Sequence, residues 1–458
     1  MESIPLLKDK RILLGVTGGI AAYKVCTLAS HLTQAGAQVD VVMTESATRF
    51  VAPLTFEALT GRPAYTDMWH TAPSLSPPHE QGVGLPTHIA HVGLAHAAEL
   101  LVVAPTTANT IAKLATGLAD NLLSTLALAT SCPVLIVPTM DAGMWGHPAT
   151  QANVATLRER GTHFAGPARG RMASSLEGEG RMVEPDEILG HIRLVLGQEG
   201  PLAGRRIVVT AGPTREPLDP VRFLSNPSSG RQGFALAQAA LDRGATVTLI
   251  AGPTHLPTPV GAERVDINTA QEMHDAVLAA VEQADALLMA AAVADYRPAT
   301  IAPQKVKKGI PGERTDAVYP RSPLTLRLAR TPDILSAVAE RRAGERPQPS
   351  PRAHRGASGL AKPHVVVGFA AESENLVENA RAKLEAKHLD LIVANDVTAD
   401  DAGFAVETNQ VVILGHATAL TGEVEELPLM SKAAVADLVL DQVLHLLTQP
   451  PGGSGTRQ

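Results

Sequence analysis

Short apolar runs rich in β-branched residues alternate along the first half of the chain with longer segments of helical periodicity. The runs lie at residues 11–16, 39–43, 100–104 and 134–137. Strands that are apolar at nearly every position, rather than at alternate positions, are typical of parallel sheets covered by helices on both faces. This half is therefore predicted to be a doubly wound α/β domain.

The same pattern starts again after residue 200. Apolar runs at residues 205–210, 246–250, 286–290, 364–368 and 389–393 alternate with helical segments. A chain of 458 residues is long enough for two domains. We expect two doubly wound, Rossmann-like domains, at residues 1–196 and 197–448. Residues 71–87 and 343–363 are predicted loops, and residues 449–458 a flexible tail, because they are rich in Pro, Gly and polar residues.

The charge and the cysteine content narrow the class of protein. The 39 basic and 46 acidic residues give a net charge of −7, which argues against unspecific nucleic-acid binding. Only Cys26 and Cys132 are present, so a disulfide framework is not expected. The sequence has no signal peptide pattern at its start and no apolar run of membrane-spanning length. We expect a cytoplasmic protein without a membrane partner.

Glycines and hydroxyl residues follow the predicted strands of the first half. Gly18 and Gly19 lie between the first strand and a helix, where backbone N–H groups can bind an anion. Thr44 and Thr106 follow the next two strands, at the sheet edge where open α/β sheets bind ligands. A tight turn without a ligand would explain the glycines alone. The three polar strand ends together predict a phosphate-bearing ligand.

The second half carries its own candidate anion sites. Residues 225–230, Ser-Asn-Pro-Ser-Ser-Gly, precede a helix predicted to start near Arg231 and resemble a phosphate-binding nest. Lys305, Lys307 and Lys308 form a basic cluster, and Lys383 and Lys387 have the i,i+4 spacing of one helix face. An ordinary turn and solvated surfaces are the alternatives that these residues leave open.

Longer motifs make the first half specific. They are VTGGIAAYK, MTESA, HVGLAHAAELLVVAPTTANTIAKLATGLADNLLS, MWGHPAT and GEGRM. Together they resemble the decarboxylase half of the bifunctional phosphopantothenoylcysteine decarboxylase/phosphopantothenate–cysteine ligase family. The resemblance implies a flavoprotein-type domain that binds FMN and uses His91 as its active-site histidine. The FMN candidates that it implies are Gly18, Gly19, Thr44, Thr106 and Ser124.

The chemistry of this family explains its flavin. A cysteine carboxylate has no electron sink, and oxidation of its CH2–SH carbon to C=S creates one. His91 would serve the accompanying proton transfer. The chain has Asp141 where the family often has a substrate-binding Asn, and Ser174 where it often has a proton-donating Cys. We count both as candidate catalytic residues, with the hypothesis that Asp141 carries the proton in place of that cysteine.

The second half resembles the ligase half of the same family. The matching segments are AGPTREPLDPVRFLSNPSSGRQGFALA, AAAVADYRP, KVKK, TPDIL, GFAAE and LDLIVANDV. The resemblance implies that CTP, with Mg2+ on its phosphates, converts 4'-phosphopantothenate to an acyl-cytidylate that the amine of L-cysteine attacks. Asn226 would contact this intermediate, and Lys305 would stabilise its phosphoryl charge. The implied nucleotide-binding residues are Ala291, Asp295, Lys305, Pro332, Asp333, Ile334, Phe369, Lys383 and Lys387.

The resemblance also implies a homo-oligomer, with trimeric contacts through the decarboxylase half and dimeric contacts through the ligase half, up to a dodecamer. Three other interpretations stay open. The chain could be an active ligase whose degenerate flavin domain is an oligomeric scaffold, or its first half could be a binding or regulatory module. A dinucleotide-dependent dehydrogenase is disfavoured, because neither glycine turn forms G-x-G-x-x-G with an acidic residue about 20 positions later.

Overall fold

The computed structural model describes residues 3–68, 90–171, 177–306, 325–344, 363–372, 374–396, 406–415 and 424–448. The chain divides into two compact units, residues 1–197 and residues 198–458. The predicted loop 71–87, most of the stretch 343–363, the tail from residue 449, Lys307 and Lys308, and the candidate Ser174 lie outside the described residues.

The first unit begins with a short 3-10 helix, Pro5–Leu7. Its strands are β1 (Arg11–Val16), β2 (Gln38–Met43), β3 (Ala64–Tyr65), β4 (Leu100–Thr106), β5 (Val134–Pro138), β6 (His163–Phe164), β7 (Ala168–Arg171) and β8 (Glu177–Arg181). Its helices are α1 (Ala22–Gln34), α2 (Glu45–Thr48), α3 (Pro53–Thr60), α4 (Ala90–Ala97), α5 (Ala108–Thr116), α6 (Leu122–Ala129), α7 (Ala142–Trp145), α8 (Pro148–Glu159) and α9 (Pro185–Gly197).

Six of these strands form one parallel sheet in the order β3-β2-β1-β4-β5-β6. The four predicted apolar runs are its central strands, and β4 is buried at every position. The order reverses between β1 and β4, and ligands of open α/β sheets bind beside such a switch point. β7 and β8 form a separate antiparallel hairpin.

The second unit contains the remaining elements. Its strands are β9 (Arg206–Ala211), β10 (Arg215–Pro217), β11 (Phe223–Ser225), β12 (Thr246–Ala251), β13 (Glu263–Asp266), β14 (Ala286–Met289), β15 (Tyr296–Pro298), β16 (Leu328–Arg330), β17 (Val365–Glu372), β18 (Leu391–Asp396), β19 (Thr408–Asn409), β20 (Val411–Gly415), β21 (Val424–Glu426) and β22 (Met430–Ser431). Its helices are α10 (Arg231–Asp242), α11 (Ala270–Val281), α12 (Ile334–Gly344), α13 (Leu376–Ala386) and α14 (Lys432–Thr448).

The main sheet of this unit has the order β13-β12-β9-β14-β17-β18-β20-β21. Its first six strands are parallel and include all five predicted runs, whereas β20 and β21 add an antiparallel edge. Two small antiparallel pairs, β10 with β11 and β15 with β16, follow β9 and β14. The predicted α/β class with two doubly wound sheets is confirmed.

Both sheets bring the candidate site segments to the carboxyl ends of their strands. In the first unit the Thr17 hydroxyl donates to the Pro105 carbonyl (2.6 Å) and accepts from the Thr107 N–H (3.3 Å). These bonds join the turn after β1 to the loop after β4. Among the described helices, none has both the length and the apolar character that crossing a membrane requires.

Candidate functional site

The first unit has a cavity of about 590 Å3 beside the turn that follows β1. Its walls come from this turn, from the segments after β4 and β5, and from the β7–β8 hairpin. The residues that line it are Gly18, Gly19, Ile20, Ala21, Tyr23, Lys24, Thr107, Ala108, Thr139, Met140, Asp141, Met144, Arg171, Gly180, Arg181 and Met182.

The two glycines of this turn have different surroundings. A Cβ atom on Gly18 would lie 2.4 Å from the Cβ of Ser46, which is too close for any packed pair of carbons. A Cβ on Gly19 would have only Pro105 Cγ within 4 Å, at 3.7 Å, and Gly19 is one of the residues that line the cavity. Gly18 is therefore required for the close approach of two segments, while Gly19 leaves its side of the turn open to a ligand.

Cationic side chains line the same cavity. The Lys24 ammonium donates to both carboxylate oxygens of Glu184, at 2.8 and 2.9 Å, and Arg181 Nη2 donates to Glu184 Oε1 at 2.6 Å. The hydrogen bond from Lys24 holds the pKa of the Glu184 carboxyl below its ordinary value. Arg171 lines the cavity as well, so its described lining has three cationic side chains and the carboxylate of Asp141. Glu184 offsets part of this charge through its bonds with Lys24 and Arg181. The balance stays positive, which suits an anionic ligand.

Asp141 lies at the first turn of α7. Its Oδ1 accepts a hydrogen bond from the Gly143 N–H at 3.0 Å, so the carboxylate caps the helix. A cap of this kind satisfies a backbone donor that the helix itself leaves without a partner. The hairpin is attached next to this residue, because the Met140 N–H donates to the Gly180 carbonyl at 2.9 Å.

Three of the five FMN candidates do not line this cavity. The Thr106 hydroxyl is fully buried, where it donates to the Val103 carbonyl and accepts from the Val137 N–H. Thr44 caps α2 through the Ala47 N–H, and Ser124 is engaged with the backbone of Asn121 at the start of α6. These hydroxyls therefore serve the local fold of this unit. Thr107, which follows Thr106 directly, does line the cavity, and its hydroxyl caps α5 by accepting from the Thr110 N–H.

His91 lies near the start of α4 and is partly buried. Its Nδ1 is buried and has no hydrogen-bond partner among the described residues. His91 does not line the cavity beside the glycine turn, and its predicted role in catalysis stays a prediction.

The second unit has a cavity of about 560 Å3 at the carboxyl ends of β14 and β17. Eight of the nine residues that the sequence assigns to a nucleotide line it: Ala291, Asp295, Pro332, Asp333, Ile334, Phe369, Lys383 and Lys387. These residues are spread over 97 positions of the chain, counted from Ala291 to Lys387. Further lining residues that sequence reasoning missed include Tyr296, Arg330 and Thr331.

Lys387 is held in place inside this cavity. Its ammonium donates to Asp333 Oδ2 and to Ser336 Oγ, the latter at 3.1 Å. Burial alone would raise the pKa of Asp333, but the hydrogen bonds from Lys387 and from the Ser336 N–H outweigh it and keep that pKa below its ordinary value. Lys383 comes from the last turn of α13 and Lys387 follows the end of that helix, so both ammonium groups reach one wall.

Asn226 and Lys305 do not line this cavity, but Asn226 is bonded to its rim. The Asn226 amide donates to the carbonyl oxygens of Ala292 and Val293, at 3.1 and 3.3 Å. Val293 and the neighbouring Ala291 line the cavity, so these bonds attach Asn226 to its rim. As predicted, α10 begins at Arg231, directly after the Ser-Ser-Gly segment. Among the described residues, no group of three or more His, Cys, Asp and Glu side chains could hold a metal ion.

Family models match both halves of the chain. Residues 3–197 match the family described as Flavoprotein. Residues 202–348 and 354–447 match the family described as DNA/pantothenate metabolism flavoprotein C-terminal domain.

Curated relatives match over nearly the full length. The chain is 42% identical over 447 residues to the coenzyme A biosynthesis bifunctional protein CoaBC of Bacillus subtilis, covering 97% of this chain and 99% of the relative. It is 43% identical over 447 residues to the protein of the same name from Mycobacterium tuberculosis, covering 96% and 97%. A crystal structure of the C-terminal domain of a CoaBC protein is 35% identical, with a TM-score of 0.41, over 54% of this chain and 98% of that chain.

Proposed function

The chain belongs to the CoaBC family of bifunctional coenzyme A biosynthesis enzymes, and from this premise we propose that its two units perform two successive reactions. The second unit joins 4'-phosphopantothenate to L-cysteine with the consumption of CTP. The first unit decarboxylates the product to 4'-phosphopantetheine with FMN. Each reaction acts on a different carboxyl group: the first activates that of phosphopantothenate to form an amide, and the second removes the one contributed by cysteine.

One observation carries the proposal for the second unit. Eight residues that were assigned to a nucleotide from short, separate motifs line a single cavity. Two of them are lysines, whose ammonium groups form strong charge-assisted hydrogen bonds with phosphate. Phe369 offers an apolar surface for a base, and Asp295 a carboxylate for its polar edge or for the ribose. The cavity therefore has the parts that a nucleoside triphosphate needs.

The proposed ligase reaction has two steps. A carboxylate oxygen of phosphopantothenate attacks the α-phosphorus of CTP and releases pyrophosphate, which turns a poor leaving group into CMP. The cysteine amine then attacks the acyl carbon and releases CMP. Lys305 stabilises the charge on the phosphoryl oxygens, and Asn226, attached to the rim of the cavity, contacts the acyl-cytidylate. Magnesium is proposed on the triphosphate oxygens, where this ion is usually bound.

The residues of the first cavity fit a flavin phosphate. Gly19 leaves the turn open, and Lys24, Arg171 and Arg181 supply positive charge. FMN supplies the reversible oxidation that gives the substrate its electron sink. Asp141, in the same cavity, is proposed to hold the proton that the reduced product requires. His91, with its partly buried ring, is proposed to act on the thiol or carboxylate.

We also propose that the protein forms a homo-oligomer, with trimeric contacts through the first unit and dimeric contacts through the second. We propose that the protein works in the cytoplasm, because the thiols of Cys26 and Cys132 are both free and such thiols persist in a reducing compartment.

Pyrophosphate release is the experiment that tests the ligase assignment. The purified protein should release pyrophosphate from CTP only when phosphopantothenate is present, and CMP only when cysteine is added as well. Lys305→Gln should abolish both. Normal turnover by this variant, or release that does not depend on phosphopantothenate, would contradict the proposal.

A further inference from the structure

Asp219 is a buried carboxylate whose two oxygens have different partners. It lies in the turn between β10 and β11, and only 3% of its surface is exposed. Its Oδ1 accepts hydrogen bonds from the backbone N–H groups of Val221 and Arg222, both at 2.8 Å. Its Oδ2 accepts from Arg222 Nε at 2.9 Å, from Arg222 Nη2 and from the Val306 N–H at 3.1 Å. One oxygen therefore shapes the turn, and the other reaches a segment 87 residues away.

Val306 is held at both of its backbone groups. Its N–H donates to Asp219, and its carbonyl oxygen accepts from the guanidinium of Arg222. A second contact lies a few residues earlier, where the Ala302 N–H donates to the Leu218 carbonyl at 3.0 Å. Lys305 lies between these two attachments, so the β10–β11 turn fixes the backbone on both sides of it.

The same turn leads directly to Asn226. Arg222 is followed by β11, which ends at Ser225, and the Ser225 hydroxyl donates to the Thr214 carbonyl at 2.7 Å. Asn226 comes next and is attached to the rim of the nucleotide cavity. The turn is thus connected to both residues proposed to act on the activated carboxyl.

The charge of Asp219 is stable. Burial alone would raise its pKa, but the hydrogen bonds from Arg222, Val221 and Val306 hold this pKa well below the ordinary value. The carboxylate therefore stays ionised in any buffer in which the enzyme works. An ionised acceptor makes shorter and stronger hydrogen bonds than a neutral one.

We propose that Asp219 is a positioning residue of the ligase reaction, which acts by fixing the backbone of Val306 and thereby the position of Lys305 relative to Asn226. This inference rests on the proposed ligase function of the second unit. Asp219 does not line the nucleotide cavity, so we do not expect it to contact the nucleotide.

Asp219→Asn is the informative variant. The amide keeps one oxygen for the N–H groups of Val221 and Arg222, and it places an N–H2 group where Oδ2 received Val306 and the guanidinium. The turn should form while the attachment of Val306 is lost. We expect kcat for CTP-dependent pyrophosphate release to fall on the order of 10²-fold, as for other small displacements of catalytic groups. The KM for CTP should change less than about threefold, because the lining of the cavity is unaltered.

The rate of trypsin cleavage after Lys305 reports on the local backbone, which an activity assay does not. Trypsin can cleave there only when the hydrogen bonds that hold the Lys305–Val306 segment are broken. We expect this bond, followed by mass spectrometry, to be cleaved at least about tenfold faster in Asp219→Asn than in the natural protein, since cleavage follows the population of the open segment. Asp266→Asn is the matched control, because it disrupts an Arg–Asp pair of similar length, Arg264 Nε to Asp266 Oδ1 at 2.7 Å, on the edge strand β13.

The results of these experiments distinguish a failure of the positioning role of Asp219 from a failure of the ligase assignment. An inactive natural protein would contradict the ligase assignment itself. If the natural protein is active, an unchanged kcat in Asp219→Asn would overturn the positioning role. A reduced kcat would overturn it as well if trypsin cleaves the Lys305–Val306 bond no faster than in the natural protein. If thermal melting shows that Asp219→Asn does not fold, Arg222→Lys decides. A single ammonium cannot bond Asp219 and the Val306 carbonyl with the planar fork of the guanidinium, so the attachment of Val306 should weaken. Cleavage after Lys305 should therefore also accelerate, and an unaltered rate would overturn the inference.

Discussion

The ammonium group of Lys24 in α1 donates to both carboxylate oxygens of Glu184, at 2.8 and 2.9 Å, across 160 positions of the chain. Glu184 also accepts from Arg181, at the end of the β7–β8 hairpin. One carboxylate thus connects the helix after the glycine turn with the hairpin on the other side of the cavity. Exposed ion pairs of this kind add little to the free energy of unfolding. We therefore expect the two cations to act mainly on the binding of the ligand in the cavity.

Lys24→Gln should weaken the binding of FMN about tenfold or more, because hydrogen bonds from charged groups contribute about 1.5–3 kcal/mol. Titration of the apoprotein with FMN, followed by quenching of the flavin fluorescence, measures this change. Lys113→Gln is the matched control, since Lys113 is equally buried and forms a similar pair with Asp120 at 2.7 Å without lining the cavity. Equal affinities of the two variants would contradict the role of Lys24.

The two glycines of the turn should respond differently to alanine. Gly18→Ala forces the new methyl group against Ser46, and such overpacking costs about 1–3 kcal/mol of the free energy of unfolding. Gly19→Ala has room and should keep the stability of the first unit, but its methyl group intrudes on the cavity and should reduce FMN retention. Urea unfolding and the ratio of flavin to protein absorbance measure the two effects. Full FMN retention by Gly19→Ala would place the flavin elsewhere.

Asp141→Asn tests the proton carrier in the first unit. Asn caps a helix about as well as Asp, so the fold around α7 should persist, whereas the amide has no proton of suitable acidity to transfer. We expect an oxidised enethiol, two hydrogens lighter than 4'-phosphopantetheine, to accumulate in the mass spectrum of the product. Unchanged formation of phosphopantetheine would remove Asp141 from this role.

The first unit should lose stability in mild acid. Burial, with the nearby His163, lowers the pKa of His191, and burial also lowers that of His163. Folding therefore favours the neutral rings, the unfolded chain binds more protons, and stability falls as the pH drops below about 6.5, the ordinary pKa of histidine. Both tryptophans, Trp69 and Trp145, belong to residues 1–197, so their fluorescence reports on this unit.

The midpoint of thermal unfolding, followed by tryptophan fluorescence, should decrease from pH 7 to pH 5, and the decrease should be smaller in His191→Gln. His445→Gln, in α14 of the second unit, serves as the control and should behave like the natural protein. An equal decrease in His191→Gln would show that other groups cause the acid sensitivity.

The sequence predicted the central strands because their signal is local. Nine continuous apolar runs mark strands buried on both faces, and each corresponds to a strand of the two main sheets. The antiparallel edge was missed, although β20 is a continuous apolar run that is buried at every position; only the short edge strand β21 carries a weak pattern. The lining of the nucleotide cavity was predicted through motifs, since separate segments meet there only because parallel strands end at one edge.

Side-chain orientation was beyond the sequence. Thr106 and Thr107 are adjacent and chemically alike, but the first ends β4 inside the sheet and the second faces the cavity. Nothing local distinguishes them. The contacts of Glu184 with Lys24, and of Asp219 with Val306, join positions 160 and 87 residues apart. Such contacts depend on the tertiary fold, and the periodicity or motif of a single segment does not predict them.

Mass analysis of the products formed from 4'-phosphopantothenate, cysteine, CTP and Mg2+ tests the two-reaction account most directly. The account predicts 4'-phosphopantetheine together with CMP and pyrophosphate, from protein that retains FMN. Accumulation of the uncleaved phosphopantothenoylcysteine would show that only the ligase works and that the first unit is a scaffold. Consumption of neither CTP nor the acid would contradict the account as a whole.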